Sequence, residues 1–342
     1  MYIEDLKFSL WADFIERDYL ENEFKDLIND GIINGATSNP AIFKNAILNS
    51  PAYKEQLSTL GSLTPKEKYE ALAIYDISKA ADILKPLYDK GDDGYVSIEV
   101  DPYLCDDADA TIAEGKRLHA TIGRENVMIK VPATTAGYKA MQELSSCGIA
   151  VNATLIFSNE QAISCAKAFE AGVKKYESKL AQQALDQAST KVRVGVDTVI
   201  SVFVSRVDRA LDAKLQENGV EVALSGIYNS ADIYNKVQAM NVSGCRVLFA
   251  STGVKDDSLP AHYYVEKLLA YNSVNTAPID TIKAFYTDGG KEKALPISDE
   301  VIKAHFKKIS NLGIDFNAVL DTQIADGLEA FKDAFKDILE NL

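Results

Sequence analysis

Eight short apolar runs recur along the chain, each followed by a longer stretch of helical periodicity, and this alternation restricts the fold more than any other feature. The runs span 8–13, 35–38, 95–100, 127–131, 150–156, 199–204, 246–250 and 273–276. Several are apolar at successive rather than alternate positions, as in Val127-Met-Ile129 and Val199-Ile-Ser-Val-Phe-Val204. A strand reads that way when both of its faces are covered, as in a parallel sheet under helices.

The intervening stretches carry helix signals. Thr64-Pro65 supplies a cap followed by proline at the first helical position. Asn159 reads as the cap of a second helix that Gly172 follows, and 106–119 and 137–146 are two more. Eight strand–helix units predict an α/β fold, a (β/α)8 TIM barrel. A doubly wound open sheet is the competing topology, but no glycine-rich phosphate loop follows the first run. Length alone would suggest two domains for 342 residues, yet barrels reach this size as one unit and no linker interrupts the pattern. The expectation is one domain over 1–342, including a C-terminal helical extension at 298–342. Within that tail, Ile324, Leu328, Phe331, Phe335 and Leu339 recur at spacings of three and four, a stripe suited to packing on the body. The polar segment 174–193 reads as an extra helix or excursion.

A net charge of −14 argues against nucleic acid or an anionic membrane as partner, since both need clustered Lys and Arg. It leaves anionic small molecules open, because these need only a few local cations. No apolar run approaches the roughly 20 residues of a membrane span, and the opening Met1-Tyr-Ile-Glu-Asp-Leu-Lys7 lacks the features of a signal peptide. Cys105, Cys147, Cys165 and Cys245 are scattered, which predicts reduced thiols in a cytoplasmic protein. His119, His262 and His305 show no metal-ligand spacing, so no metal is expected. Monomer and homodimer are both compatible with the tail.

Barrel enzymes place their chemistry at the C-terminal ends of the strands. A charge inside an apolar strand is costly unless it is paired or reactive, and three strands carry one: Asp13, Glu99 and Lys130. A lysine in a dry site can lose its proton and attack a carbonyl carbon; the resulting iminium draws electrons from an adjacent carbon–carbon bond. Asp13 and Glu99 then suit the base and the acid–base group that such cleavage needs. The bland alternative is a buried ion pair, which is the better reading for any one of the three but not for all three at one barrel mouth. A second group is small and polar: Thr37-Ser38-Asn39-Pro40, Asn152-Ala-Thr154, Ser201 and Ser251-Thr252. Turn chemistry explains Ser38-Asn39-Pro40 equally well, whereas Asn152 and Thr154 point the same way within an apolar strand. Arg206 and Lys255 follow late strands, where barrels often bind phosphate. Lys255 alone would pass for a surface cation, and Arg209 reads as a neighbouring structural charge.

Two stretches, Ser9-Leu-Trp-Ala-Asp-Phe-Ile-Glu-Arg-Asp18 and Phe249-Ala-Ser-Thr-Gly-Val-Lys255, resemble the longer bacterial branch of the transaldolase family, and five strings, in order, resemble the family as a whole. They are Gly35-Ala-Thr-Ser-Asn-Pro-Ala-Ile-Phe43, Ser97-Ile-Glu-Val-Asp101, Met128-Ile-Lys-Val-Pro-Ala133, Val151-Asn-Ala-Thr-Leu-Ile-Phe157 and Ile200-Ser-Val-Phe-Val-Ser-Arg206. The resemblance implies that Lys130 is the Schiff-base lysine and that Asp13 moves the substrate hydroxyl proton. It implies that Glu99 assists the carbinolamine steps through a water which Thr154 orients. It further implies that Asn39, Asn152 and Ser201 contact the bound three-carbon unit and that Arg206 binds phosphate. Family members often carry an arginine after the Ser at position 251, where this chain has Thr252-Gly-Val-Lys255, so Lys255 stands as the candidate second cation. The implied activity is transfer of a dihydroxyacetone unit from fructose 6-phosphate or sedoheptulose 7-phosphate to erythrose 4-phosphate or glyceraldehyde 3-phosphate. That is a step of the non-oxidative pentose phosphate pathway, and it needs no cofactor. The rivals are an aldolase that releases the three-carbon unit and a non-catalytic barrel.

Overall fold

The computed structural model describes residues 2–186, 195–255 and 258–342. After a two-residue strand β1 (Tyr2–Ile3), the first half runs β2 (Phe8–Ala12), α1 (Arg17–Glu21), α2 (Glu23–Asn29), β3 (Gly35–Thr37), α3 (Pro40–Asn49), α4 (Lys54–Thr59), α5 (Pro65–Lys90), β4 (Tyr95–Glu99), α6 (Ala108–Ile122) and β5 (Val127–Pro132). There follow α7 (Thr135–Ser145), β6 (Val151–Ile156), α8 (Asn159–Asp186), β7 (Thr198–Phe203), α9 (Ser205–Glu217), α10 (Ser225–Met240) and β8 (Cys245–Ala250). The chain ends with α11 (Tyr263–Lys267), β9 (Ser273–Ala277), α12 (Ile279–Asp288), α13 (Asp299–Asn311) and α14 (Phe316–Asn341). Each expected strand lies within one residue of its expected bounds.

Strands β2 to β9 pair in sequence order, all parallel, and β2 pairs back onto β9 from Ser9↔Val274 to Ala12↔Ala277. This closes an eight-stranded barrel with helices outside it, the (β/α)8 fold that the alternation predicts. Both faces of the strands are buried in different material. Outward residues such as Leu10, Val96, Ile129, Ile200 and Val247 pack under the helices. Inward Trp11, Tyr95, Met128, Val199, Leu248 and Val274 fill the barrel interior. That double burial is why the runs are apolar at successive positions. No helix among the described residues is long and apolar enough to cross a membrane.

The helix ends partly follow the sequence reading. Thr64 caps α5 in a reciprocal box with Glu67, with Pro65 in the first turn. At α8 the cap is Ser158 rather than Asn159: Ser158 Oγ accepts from Gln161 N, and Gln161 Oε1 accepts from Ser158 N. Asn159 is already helical and donates to Asp232 Oδ2. Gly172 does not end the helix either. A Cβ there would lie 1.9 Å from Ser145 Oγ of α7, so the glycine serves a close helix–helix approach. Residues 174–186 therefore continue α8, and the rest of the expected excursion, 187–193, falls outside the described residues.

The tail is the element that most affects the site. Phe335 of α14 stacks edge-on against Tyr69 of α5 at 5.1 Å, and Tyr69 stacks in turn on Phe43 of α3. Lys44 pairs with Asp337, and Lys68 Nζ donates to Leu342 O at 2.6 Å. Of the expected stripe, Phe331 and Phe335 are buried; Ile324, Leu328 and Leu339 are partly so. These ties lay α14 across the C-terminal mouth of the barrel.

Candidate active site

Register brings the strand polar groups together. Glu99 of β4 is level with Lys130 of β5, and Lys130 with Asn152 of β6. Partners across a parallel ladder point to the same side, so three polar side chains stand abreast inside the barrel. Asn152 bridges its neighbours: its Nδ2 donates one of its two protons to Ser97 Oγ at 3.0 Å, and its Oδ1 accepts from Ser201 Oγ at 2.6 Å. This chain ties β4, β6 and β7 at the level of Lys130.

Lys130 is 4% exposed. Its Nζ donates to Ser38 O at 3.1 Å and lies 3.5 Å from Glu99 Oε2, an ion-pair separation. Neither Glu99 oxygen accepts a hydrogen bond from a described residue, and burial pushes this carboxyl up to about 7 against the opposing pull of Lys130. Asp13 follows β2 directly, with its amide donating to Ala277 O at 2.9 Å. Its Oδ1 accepts from Thr37 Oγ1 at 2.7 Å. Burial raises the Asp13 carboxyl as well, while Lys130, the Thr37 bond and Arg206 oppose that rise.

Above this layer lies a pocket of about 140 Å³. Asp13, Lys130, Thr154 and Ser201 line its floor, with Thr37 and Thr276 on one side. Asn39, Arg206 and Ser251 reach it from the loops and helix starts, and Phe203 and Phe331 supply apolar wall. Local backbone features aim several of these groups. Strand β6 has one residue more than β7 between the paired positions Ala153 and Ile156, and Leu155 takes φ 58°. Gln161 Nε2 donates to Leu155 O and to Ala133 O, holding this irregular step. Thr154 Oγ1, buried there, has no hydrogen-bond partner among the described residues. Ser251, at φ 55°, turns toward Ser205 with the two hydroxyls 3.1 Å apart. Asn39 caps α3 through its Oδ1, accepting from Ile42 N at 3.0 Å.

Arg206 enters the pocket from the first turn of α9, its guanidinium 5.1 Å from the Phe203 ring. Burial and the neighbouring Arg209 weaken its hold on the proton, and Asp326 and Asp13 oppose that. Gly327 of α14 makes room beside it: a Cβ there would lie 2.9 Å from Leu155 Cδ2 and 3.4 Å from Arg206 Nη1. The Phe331 ring stands 5.8 Å from Lys130 Nζ. A buried amine beside a buried carboxylate, with a second carboxylate and a guanidinium in one pocket, suits covalent capture of a ketone bearing an anionic group.

Comparison with known proteins agrees with this chemistry. A family model described as transaldolase/fructose-6-phosphate aldolase matches residues 10–342. A transaldolase of Campylobacter jejuni (strain RM1221) is 48% identical over 335 residues, covering 98% of this chain and 99% of the relative. One of Helicobacter pylori (strain P12) is 41% identical over 336 residues, with coverage of 98% and 99%. The chain belongs to the transaldolase/fructose-6-phosphate aldolase family.

Within this transaldolase-family barrel, nearly all the residues singled out from sequence converge. Asp13, Asn39, Lys130, Thr154, Ser201, Arg206 and Ser251 line one pocket. Glu99 and Asn152 join it through Lys130 and Ser201. Lys255 does not join them: it is exposed and outside the lining. Arg209 is outside the lining too. Sequence reasoning missed Thr276 and the pocket role of Phe331. The signal for Thr276 was the one that picked Ser201, a hydroxyl near a strand end. In the sequence Phe331 counts only as part of a packing stripe.

Proposed function

We propose that this chain is a transaldolase that carries a dihydroxyacetone unit on Lys130 between two sugar phosphates. The observation that supports it most is the buried Lys130 amine, 3.5 Å from a carboxylate raised to about 7 and sharing a pocket with Asp13. In this reading the Lys130 amine adds to the ketone carbon of fructose 6-phosphate or sedoheptulose 7-phosphate. Glu99, part-protonated near neutral pH, passes its proton to the departing hydroxyl, which leaves as water. Thr154 hydrogen-bonds that water.

Cleavage then runs through the iminium. The Asp13 carboxylate takes the proton of the hydroxyl two carbons from the former carbonyl. That oxygen becomes an aldehyde, the carbon–carbon bond breaks, and its electron pair moves to the iminium, leaving an enamine. The aldose phosphate departs, and the enamine attacks the aldehyde of erythrose 4-phosphate or glyceraldehyde 3-phosphate by the reverse steps. Asn39, Asn152 and Ser201 hold the three-carbon unit, and Ser251 and Arg206 hold the rest of the substrate, Arg206 at its phosphate. The electron sink is the iminium itself, so the cycle calls for no cofactor. Lys255 has no part in this reading. The whole chain acts as one domain, because α14 completes the wall of the pocket.

Transfer rather than simple aldol cleavage is supported by the relatives, named transaldolases over nearly their full length, and by the roof that Phe331 gives Lys130. The reaction belongs to the non-oxidative pentose phosphate pathway, which fits a cytoplasmic location. The test is borohydride reduction with fructose 6-phosphate. It should add a three-carbon unit at Lys130 in the wild type and nothing in Lys130→Ala; an unmodified wild type would remove every Schiff-base reading.

A further inference from the structure

Asp13 sits between two threonines from the neighbouring strands. Strand β2 pairs with β3 on one side and β9 on the other, and Thr37 and Thr276 meet in front of it. Thr37 Oγ1 donates to Asp13 Oδ1 at 2.7 Å and lies 2.6 Å from Thr276 Oγ1. Both threonines are buried, at 2% and 3% exposure.

The direction of these bonds follows from counting protons. A hydroxyl has one proton to give, and an ionised carboxylate only accepts. With Asp13 charged, the Thr37 proton is committed to it, so the second contact must run from Thr276 to Thr37. We propose that Thr276 and Thr37 form a one-way hydroxyl chain that keeps Asp13 ionised and aimed at the substrate hydroxyl. The proposal rests on the reading of Asp13 as the cleavage base, and it makes both threonines positioning residues.

The balance of forces on Asp13 shows why such a chain matters. Burial favours the neutral acid, and Glu99 on β4 adds a nearby negative group. Lys130 on β5 and Arg206 on α9 favour the charged form, as does the Thr37 bond. A hydroxyl that is itself receiving a hydrogen bond donates more strongly, so Thr276 reinforces Thr37 without touching the carboxylate. The backbone at Thr276 has its own anchor, since β9 is paired with β2 there, Trp11 opposite Thr276 and Ala12 opposite Ala277. Replacing the Thr276 hydroxyl by a methyl therefore leaves the strand tied in place.

The experiment reads cleavage alone, after the Schiff base has formed: the pH dependence of aldose phosphate release in a single turnover of fructose 6-phosphate. Losing a hydrogen bond to a carboxylate should move the acidic limb up by about one to two pH units in Thr37→Val. Thr276→Val should move it the same way by about half a unit, and Thr276→Ser should restore the wild-type limb. A uniform loss of rate with the limb unmoved, or equal behaviour of Thr276→Ser and Thr276→Val, overturns the chain and leaves a structural tie. Should Thr37→Val fail to fold, the Thr276 pair decides alone. Asp13→Asn separates the two readings: borohydride should then trap the uncleaved six-carbon sugar phosphate on Lys130. Cleavage by Asp13→Asn at the wild-type rate would overturn the base assignment and the chain with it.

Discussion

Replacing Phe331 with alanine should convert part of the transfer into release of free dihydroxyacetone. The ring is 4% exposed and stands 5.8 Å from Lys130 Nζ, on a helix otherwise held by Phe335 and by the Lys44–Asp337 pair. Truncating a buried phenylalanine costs about 3–5 kcal/mol, and the lower figure applies here because part of the ring faces the pocket. Against a total stability of roughly 5–15 kcal/mol the variant stays folded, and α14 keeps its remaining anchors. The functional effect has two parts. A cationic iminium beneath the ring loses about 0.5–1 kcal/mol of attraction, a two- to fivefold drop in Schiff-base occupancy. More important, water gains access to an intermediate whose loss requires only protonation at carbon and hydrolysis of the iminium. A tenfold change in partitioning corresponds to about 1.4 kcal/mol, well within what removing an apolar wall supplies. The assay is acceptor-free turnover of fructose 6-phosphate, measured as released dihydroxyacetone beside the transfer rate with erythrose 4-phosphate. Release should rise about tenfold relative to transfer in Phe331→Ala and less in Phe331→Leu. If release and transfer instead fall in the same proportion, the ring only packs, and the roof does not govern partitioning.

Two further outcomes can be checked directly. Arg206→Ala should lower kcat/KM for ketose phosphates by about 10- to 200-fold, the worth of one charge-assisted contact of roughly 1.5–3 kcal/mol, with little change for a non-phosphorylated ketose; equal losses on both would make Arg206 structural. Asp208, buried in α9 with Gly226 N donating to it at 2.7 Å, is raised to about 7, above all by desolvation. Its folded form holds a proton more tightly than the unfolded chain, so its contribution to stability is full below about pH 4 and lost as pH climbs through 7, roughly 4 kcal/mol in all. Asp208→Asn should therefore gain thermal stability over the wild type between pH 5 and pH 8; a constant difference in Tm across that range would refute the assignment.

The barrel was legible because its strands obey one physical rule. Helices cover the outer face and a filled interior covers the inner one, so Val127-Met-Ile129 could be read as a parallel strand with no knowledge of its neighbours. Lys130, Glu99 and Asp13 were legible for the converse reason, as charges where burial penalises charge. Glycine was the weaker guide. Gly172 looks the same in sequence whether it ends a helix or lets two helices touch, and only the 1.9 Å approach to Ser145 Oγ distinguishes them.

What sequence could not convey is the sharing of one side chain between two jobs. A threonine near a strand end is ordinary β-forming sequence, so Thr276 could be noticed there as a hydroxyl, but its tie to Thr37 appears only when closure of β9 onto β2 brings the two within 2.6 Å. The stripe on α14 has the same periodicity whether the helix lies along the flank of the barrel or across its mouth. Its placement depends on contacts far apart in sequence, Phe335 with Tyr69 and Asp337 with Lys44, and those contacts bring Phe331 over Lys130. A packing helix and a catalytic wall are thus one element here. Residues that hold α14 down should affect partitioning between transfer and release even where they touch no substrate, because they set how well the ring covers the amine.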